Sequence, residues 1–411
     1  MRTLMDAESV LLSVLTPEGR ANPHPSFAEL RRLAPIHRSE ALDTHFLTRF
    51  AECHAVLTNH EFLVPDLTWC SSNIPDWREH PAADFFYSSL LGSNGAVHDR
   101  LRRPVARAFG VRRIAALRRT VEKITEELLD GFAEATSSGG AANFQELVGD
   151  PLPVAVAGGL IGVPRADQEH FHRLGRDASR LLEPVRTADD WARADGAVDT
   201  LREYFTGLLR ERRARPADDF ASALHTQHAP GDTPLTERER VDILLLLFVA
   251  GFETTSGMLG LTVFALLTHP GELALVRADP DLATAAVEES LRWDTPVVMT
   301  ERIAARPLEL APSVTVPEGA SVTAVLTAAN RDPGHHPDPD AFTVRRQGTR
   351  VLSFSAGTHF CPGAALARSE GAALVRRLVH RFPGLGLAGE PVRRASVSLR
   401  SFDDLPLVTT G

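Results

Sequence analysis

The sequence predicts a mainly α-helical fold with a minor β region. Stretches rich in Arg, Leu and Ala, with apolar residues at helical spacing, cover most of the 411 residues. Short β-type runs occur only in the N-terminal and C-terminal parts of the chain. Pro, Gly and Ser are spread along the sequence, and their one short cluster, at 137–140, is too small to be a linker. We therefore expect one domain over residues 1–411.

The helical stretches share an apolar periodicity, and several end at Gly or Pro. They lie at about 98–136, 150–162, 167–183, 188–214, 236–268, 282–293 and 362–381. The residues Gly162-Val163-Pro164 and His269-Pro270-Gly271 follow two of them, as expected where a helix stops. In the most apolar stretch, Glu253 interrupts an uncharged run that begins at Ile243. This run is too short to span a bilayer, so it indicates a buried core helix.

The predicted strands are short β-type runs. They lie at about 35–39, 45–49, 297–303, 308–310, 321–326 and 396–400. Because the runs between 35 and 49 need strands to pair with, separate N-terminal and C-terminal domains are disfavoured.

Composition excludes several classes of function. A net charge of −9 argues against general nucleic-acid binding. The N-terminal residues lack the basic-then-apolar order of a signal peptide. Only Cys53, Cys70 and Cys361 are present, so a disulfide framework is not expected. We predict a cytoplasmic protein that binds neither nucleic acid nor membrane.

The most informative feature is Cys361. It follows a glycine-bearing loop, Phe354-Ser355-Ala356-Gly357-Thr358-His359-Phe360, and precedes a helical stretch that starts with Pro362-Gly363. A thiolate near a helix N-terminus has a lowered pKa and suits a permanent metal ligand. One thiolate without a second Cys or His at finger spacing argues against structural zinc, whereas it suits a haem iron with one axial protein ligand. The alternative is an inert buried cysteine.

These residues resemble the cysteine-ligand loop of the cytochrome P-450 family, Phe-x-x-Gly-x-His/Arg-x-Cys-x-Gly. The resemblance implies the family's helix-rich triangular prism with a small β region. It also implies haem b (iron protoporphyrin IX) with Cys361 as axial iron ligand, and Phe354 and Gly363 as part of the cofactor-binding loop. The family's activity is the insertion of one oxygen atom from O₂ into an apolar substrate, by hydroxylation or epoxidation.

A second segment, Ala250-Gly251-Phe252-Glu253-Thr254-Thr255, lies within the most apolar helix. Small residues allow close approach to the backbone there, and a buried carboxylate needs a partner or a purpose. Glu253 could instead reach solvent or a nearby arginine. The segment resembles the family's oxygen-activation motif, which implies that Glu253 and Thr254 are catalytic and relay protons to dioxygen.

Four cationic or hydrogen-bond-donating side chains, from three segments, could converge on a ligand that carries two carboxylates. His98 and Arg102 lie one helical turn apart, Arg302 stands in a β-type run, and His359 precedes the cysteine by two residues. At matching positions the family binds the haem propionates. Solvated side chains are the alternative, which we favour for Arg100 and Arg103.

Two further segments suggest structural roles. Glu289 and Arg292 lie three residues apart, which alone indicates only a surface ion pair. They match the family's Glu-x-x-Arg element, which braces the haem loop, with Arg346 as the better match to its third partner. The stretch 330–340 holds two His and three Asp, but its prolines argue against a metal site, and it resembles the family's structural meander.

Partners and substrate follow from charge and resemblance. Eight arginines and one acid lie between His98 and Thr120. This indicates either a solvated helix face or a basic surface for an acidic ferredoxin or flavodoxin, which with its reductase would supply electrons. Aromatic and aliphatic residues in the segments expected to face the substrate favour a sizeable, mostly apolar organic molecule. These residues are Trp69, Trp77, Phe85, Phe86, Phe248, Val297, Val298 and Met299.

The function predicted is therefore a monooxygenase that tailors a secondary metabolite such as a polyketide or macrolide. A terpene or a fatty acid is the alternative substrate. Two other functions stay open: a haem-thiolate enzyme that uses hydrogen peroxide directly, and a haem-binding sensor or carrier without turnover. Glu253 and Thr254 argue against the first, because that class needs no proton relay.

Overall fold

The computed structural model describes residues 6–137, 139–226 and 233–409, and most of them are helical. The α-helices are α1 (Ala7–Ser13), α2 (Pro17–Ala21), α3 (His24–Leu33), α4 (Phe50–Thr58), α5 (Leu67–Asn73), α6 (Pro81–Ser88), α7 (Gly95–Ala108), α8 (Val111–Thr136), α9 (Pro151–Ile161), α10 (Arg165–Ser179), α11 (Ala188–Ala214), α12 (Phe220–Thr226), α13 (Glu237–Thr268), α14 (Pro270–Ala278), α15 (Ala283–Trp293), α16 (Leu326–Ala329) and α17 (Ala364–Arg381).

The strands are short and few by comparison, which confirms the predicted mainly α class with a minor β region. They are β1 (Ile36–Ser39), β2 (Thr44–Leu47), β3 (Phe62–Leu63), β4 (Ala142–Asn143), β5 (Met299–Ala304), β6 (Leu308–Ala311), β7 (Val314–Val316), β8 (Ser321–Val325), β9 (Leu385–Leu387), β10 (Val392–Arg393), β11 (Phe402–Asp404) and β12 (Pro406–Thr409).

Two predicted elements are wrong. The stretch 98–136 is not one helix, because Gly110 takes an extended conformation (φ −64°, ψ 150°) between α7 and α8. The run 396–400 is not a strand, since only Leu399 forms an isolated bridge, with Val297. Short helices such as α4 and α6 escaped prediction because one or two turns hold too few apolar residues to show a period.

One compact unit contains the described residues up to Val64, with Gly260–Cys361 and Pro391–Asp403. Its main sheet has the strand order β1-β2-β8-β5-β3, in which β2 and β8 are parallel and the other neighbours antiparallel. Thr44 thereby lies opposite Ser321, so the N-terminal strands do pair with the C-terminal part of the chain. Leu47 and Val322 are fully buried in the core of this unit.

The other compact unit contains Pro65–Leu259, Pro362–Glu390 and the described residues from Asp404 onward. Helix α8 packs against α17, and α10 against α9 and α11. A small sheet has the order β4-β12-β9. Because each unit combines separated stretches of chain, the single domain over residues 1–411 stays a prediction.

Helix α13 is the described helix whose length and composition would let it cross a membrane. Of its most apolar window of 18 residues, 83% is buried inside the protein. That burial is typical of a core helix, as the interrupted apolar run predicted. Phe248 has no exposed surface and packs edge-to-face on Phe171, so it is a core residue and not the substrate-facing one that we expected.

Candidate functional site

The loop before Cys361 is built around a glycine that no other residue can replace without a shift. Gly357 has φ +67°, and a Cβ there would lie 2.4 Å from the carbonyl oxygen of Leu57. The following 3₁₀ turn, Gly357–His359, reverses the chain, and the Cys361 amide donates to the Phe354 carbonyl at 2.9 Å. This hydrogen bond closes the loop and leaves the Cys361 side chain half-buried. Helix α17 begins only at Ala364, so Pro362 lies two residues before the helix. The sequence had predicted Pro362 at the start of the helix, and this prediction is wrong.

Residues 289–346 support this loop within the same unit. Glu289 accepts from Arg292 Nη2 at 2.8 Å and from Arg346 Nε at 3.1 Å, and both members of the first pair are buried. The pair is therefore not a surface ion pair, and Arg346 is its third partner, as the resemblance implied. Asn330 Oδ1 accepts from the Leu352 amide at 2.8 Å, two residues before Phe354. Asn330 thus has a structural role that ties the meander to the cysteine loop.

Arg302 on β5 is a buried cation. Its side chain is 3% exposed and donates to Thr300 Oγ1 at 3.0 Å and to the Glu301 carbonyl at 2.7 Å. Burial lowers the pKa of its guanidinium to about 10. Among residues 6–137, 139–226 and 233–409, no carboxylate lies within ion-pair distance of it. A buried cation of this kind fits the carboxylate of a bound ligand. His359, at the end of the 3₁₀ turn, is half-buried.

His98 and Arg102 lie one turn apart on α7, in the other unit. His98 is buried, and burial lowers the pKa of its imidazole, whose Nδ1 lies 3.5 Å from Asp99 Oδ1. Arg102 is half-buried. Arg100 donates to Glu239 Oε2 at 2.8 Å, so the prediction of a solvated Arg100 is wrong, whereas Arg103 is exposed.

The segment 250–254 of α13 lies in that unit too. Thr254 Oγ1 donates to the Ala250 carbonyl one turn earlier at 2.8 Å. Ala250 is exposed although its helix is mostly buried, and a Cβ on Gly251 would lie 3.9 Å from Ala157 Cβ, with no other described element within 4 Å. Glu253 is 4% exposed, so it does not extend into solvent, but its Oε1 lies 3.9 Å from Arg176 Nε, which is the nearby arginine of the alternative interpretation.

Each unit by itself holds residues with the chemistry that a haem needs. In the first unit, the half-buried thiol of Cys361 suits an iron ligand, and the buried guanidinium of Arg302 suits a propionate. In the other unit, Arg102 is half-buried, and Ala250 is exposed beside Gly251 on α13. Within the part of the chain that the structure describes, no group of three His, Cys, Asp or Glu could hold a metal ion.

Sequence reasoning missed one cluster entirely. Asp150, directly before α9, is buried and accepts hydrogen bonds from His172 and Arg176 of α10. Since Arg176 also lies beside Glu253, the cluster belongs to the surroundings of the proposed relay.

Comparisons with known proteins show the family to which the chain belongs. The cytochrome P450 family model matches residues 71–384. The chain is 35% identical to 6-deoxyerythronolide B hydroxylase of Saccharopolyspora erythraea, over 94% of this chain and 96% of the relative. It is 35% identical to cytochrome P450 monooxygenase PikC of Streptomyces venezuelae, over 96% and 93%.

A solved structure of P450BioI, in complex with an acyl carrier protein ligated to hexadec-9Z-enoic acid, superposes with a TM-score of 0.88. It has 28% identity, and the match covers 97% of this chain and 99% of that one. The fold, the cysteine loop and these relatives lead to one conclusion: the chain belongs to the cytochrome P450 family, which uses haem, and it is a monooxygenase.

Proposed function

We propose that the protein holds haem b through Cys361 and oxidises an apolar secondary metabolite. His98, Arg102, Arg302 and His359 would hold the propionates, while Phe354 and Gly363 would shape the loop around the thiolate. The observation that carries this proposal is the Cys361 loop, whose Gly357 turn and Phe354 hydrogen bond fix the backbone on the N-terminal side of the cysteine. When bound, the haem supplies the activation of O₂ and the oxygen transfer.

The chain's own residues supply protons in this proposal. Glu253 is a buried acid next to a partly exposed arginine, so it can take a proton from the solvent side. Thr254 holds its hydroxyl against the Ala250 carbonyl and can pass the proton on from Oγ1. A general acid–base group of this kind typically contributes a factor of about 10²–10⁴ in rate.

The relay is tested by the coupling of NADH use to product. With a surrogate ferredoxin and its reductase, Thr254→Ala should consume NADH but release more peroxide per product, with an unchanged substrate-induced Soret shift. Thr268→Ala is the matched control, because Thr268 makes the same 2.8 Å bond to a carbonyl one turn earlier at the end of α13. Equal coupling in both variants would contradict the relay. Product formation from peroxide alone would favour the peroxide-using alternative, and haem binding without NADH use the sensor or carrier.

The substrate class rests on relatives and on apolar side chains. One relative is named a hydroxylase of 6-deoxyerythronolide B, and another, at 34% identity, a vitamin D(3) 25-hydroxylase. A polyketide or macrolide agrees best with the first name, and a terpene or fatty acid stays the alternative. A screen for Soret shifts across these compound classes distinguishes them.

The electron donor is proposed to be a ferredoxin or flavodoxin with its reductase, in the cytoplasm. Exposed arginines on α7 and α8 favour an acidic partner. The arginines between His98 and Thr120 do not all contribute equally to the positive charge of this surface. Arg113 donates to Asp218 at 2.7 Å, so its charge is partly neutralised. Arg112 and Arg119 are exposed and seven residues apart on α8, hence on one face of it.

Charge reversal at Arg112 and Arg119 should raise the KM for ferredoxin several-fold at low salt, because steering by exposed charges is screened as ionic strength rises. The substrate-induced Soret shift should not change. Arg213→Glu, an exposed reversal near the end of α11, is the control and should leave the KM for ferredoxin unchanged. Reduction insensitive to both salt and the α8 reversals would contradict the proposal.

A further inference from the structure

Asp150 is a buried carboxylate outside the proposed relay, and it accepts hydrogen bonds from the side chains of four residues. It is 2% exposed and lies between a π-helical turn, Gln145–Gly149, and the start of α9. Its Oδ1 accepts from Gln145 Nε2 at 2.7 Å and from the Ser256 hydroxyl. Its Oδ2 accepts from His172 Nε2 and Arg176 Nη2, each at 2.7 Å.

These donors connect α10 with α13 at the turn that carries Glu253. His172 and Arg176 are four residues apart and share one face of α10. Ser256 follows Glu253 by three residues, so both lie on one side of α13. Asp150 bonds to both faces at once, and its position therefore sets how α10 presents Arg176 to α13.

One guanidinium is shared between two buried carboxylates. Arg176 donates through Nη2 to Asp150 at 2.7 Å, while its Nε lies 3.9 Å from Glu253 Oε1. The nearer carboxylate thus takes the short charge-assisted hydrogen bond. Burial raises the pKa of Asp150, but the hydrogen bond from His172 and the charge of Arg176 outweigh it and lower the pKa to about 2. Asp150 therefore stays ionised near neutral pH and keeps its hydrogen bond from Arg176.

The cluster also reaches solvent. The side chains of His172 and Arg176 are each 33% exposed, whereas those of Asp150 and Glu253 are 3% exposed. Water can therefore contact the outer edges of His172 and Arg176, next to the buried acids.

We propose that Asp150 is a positioning residue for proton delivery, which holds Arg176 beside Glu253 but prevents it from closing fully on that acid. This inference rests on the proposed relay role of Glu253 and Thr254. With the charge of Asp150 removed, Arg176 is drawn to Glu253, which is then held as a carboxylate and exchanges its proton more slowly. Asp150 itself transfers no proton.

The test is Asp150→Asn, which keeps the shape and an acceptor oxygen but removes the charge. NADH use, peroxide and product are measured with the surrogate ferredoxin, in H₂O and D₂O. Product per NADH should fall roughly two- to tenfold, part of the 10²–10⁴ that loss of an acid–base group costs. The solvent isotope effect should rise, and the substrate-induced Soret shift should stay unchanged.

Asp242→Asn is the matched control. Asp242 is also buried on α13 and accepts from two arginines, Arg202 Nε at 2.9 Å and Arg238 Nε at 2.7 Å, but it lies three turns before Glu253. The same chemical change there should leave coupling and isotope effect as in the wild type. An equal loss in both variants would overturn the proposal, because it would reflect general destabilisation.

A double-mutant cycle separates this inference from the relay itself. In a Glu253→Gln background, Asp150→Asn should cause no further loss of coupling, because it acts through Glu253. If Glu253→Gln and Thr254→Ala change coupling but Asp150→Asn does not, the positioning role is wrong and the relay stands. If none of the three changes coupling, the relay is wrong.

A second variant covers the case in which the Asp150→Asn protein does not retain haem. Arg176→Gln is then measured in place of Asp150→Asn, and unchanged coupling in Arg176→Gln overturns the proposal.

Discussion

Two buried carboxylate–arginine clusters, one in each unit, use the same residue types to different ends. Around Glu289, the partner Arg292 has no exposed surface and donates to the carbonyls of Pro339 and Ala341, each at 2.7 Å. Around Asp150, Gln145 and Ser256 are buried, but the side chains of the other two partners, His172 and Arg176, are one-third exposed. The first cluster is sealed and fixes backbone, whereas the second is open and can exchange with water. Solvent contact and the type of partner, rather than the identity of the residues, distinguish the structural cluster around Glu289 from the cluster that we propose to assist proton delivery.

Breaking the sealed cluster should have the largest effect on stability. Glu289→Ala leaves Arg292 charged and buried without its carboxylate, which typically costs ~3–5 kcal/mol. Glu288→Ala, one position earlier and only half-buried, should change the free energy of unfolding by less than ~1 kcal/mol. Urea unfolding of both variants measures the difference. Similar small losses in the two would contradict the sealed brace, and so would a Glu289 variant that keeps its haem as tightly as the wild type.

Glu370 on α17 extends the comparison to a buried acid that forms no ion pair with any cation of the described residues. It is 3% exposed, and among the described residues its Oε2 has no hydrogen-bond partner. Burial raises its pKa from 4.5 to about 8. Between these two values the folded state keeps a proton that the unfolded state has lost, so the free energy of unfolding falls with rising pH, by at most about 1.4 kcal/mol per pH unit from this group.

Glu370→Gln removes that contribution. Its free energy of unfolding, relative to the wild type, should rise between about pH 5 and pH 8 and then stay constant. Glu390→Gln, an exposed change in the same unit, should leave the pH dependence as it is. A difference between wild type and Glu370→Gln that is constant with pH would show that Glu370 is ionised when buried.

Much of the fold and part of the site were predictable from sequence, for identifiable reasons. Helices α11, α13 and α15 begin and end within one residue of the prediction. Their amphipathic or apolar runs are long, and Pro, Gly or Asp residues directly after these runs mark where the helices end. The hydrogen bond from Thr254 to the Ala250 carbonyl is also of a kind that sequence can predict, since it is local to one helical turn.

Features that depend on distant partners were not predictable. Asp150 and Ser256 are 106 residues apart, and no periodicity indicates that they meet. Arg100 was predicted to be solvated. This prediction failed because its partner Glu239 lies on another helix, 139 residues away in sequence. The break at Gly110 was missed since apolar spacing continues on both sides of it. The sequence therefore predicts local geometry well, while charge networks between elements emerge only in the folded chain.

The central claim is that Cys361 is the iron's only protein ligand, and the spectrum of the reduced CO complex tests it most directly. The wild type should show the strongly red-shifted Soret band that a thiolate ligand produces. Cys361→Ser should lose that band, whereas Cys53→Ser should keep it, because Cys53 is fully buried and burial raises the pKa of its thiol well above the ordinary value. A Cys361→Ser protein that binds haem and retains the red-shifted band would contradict the account.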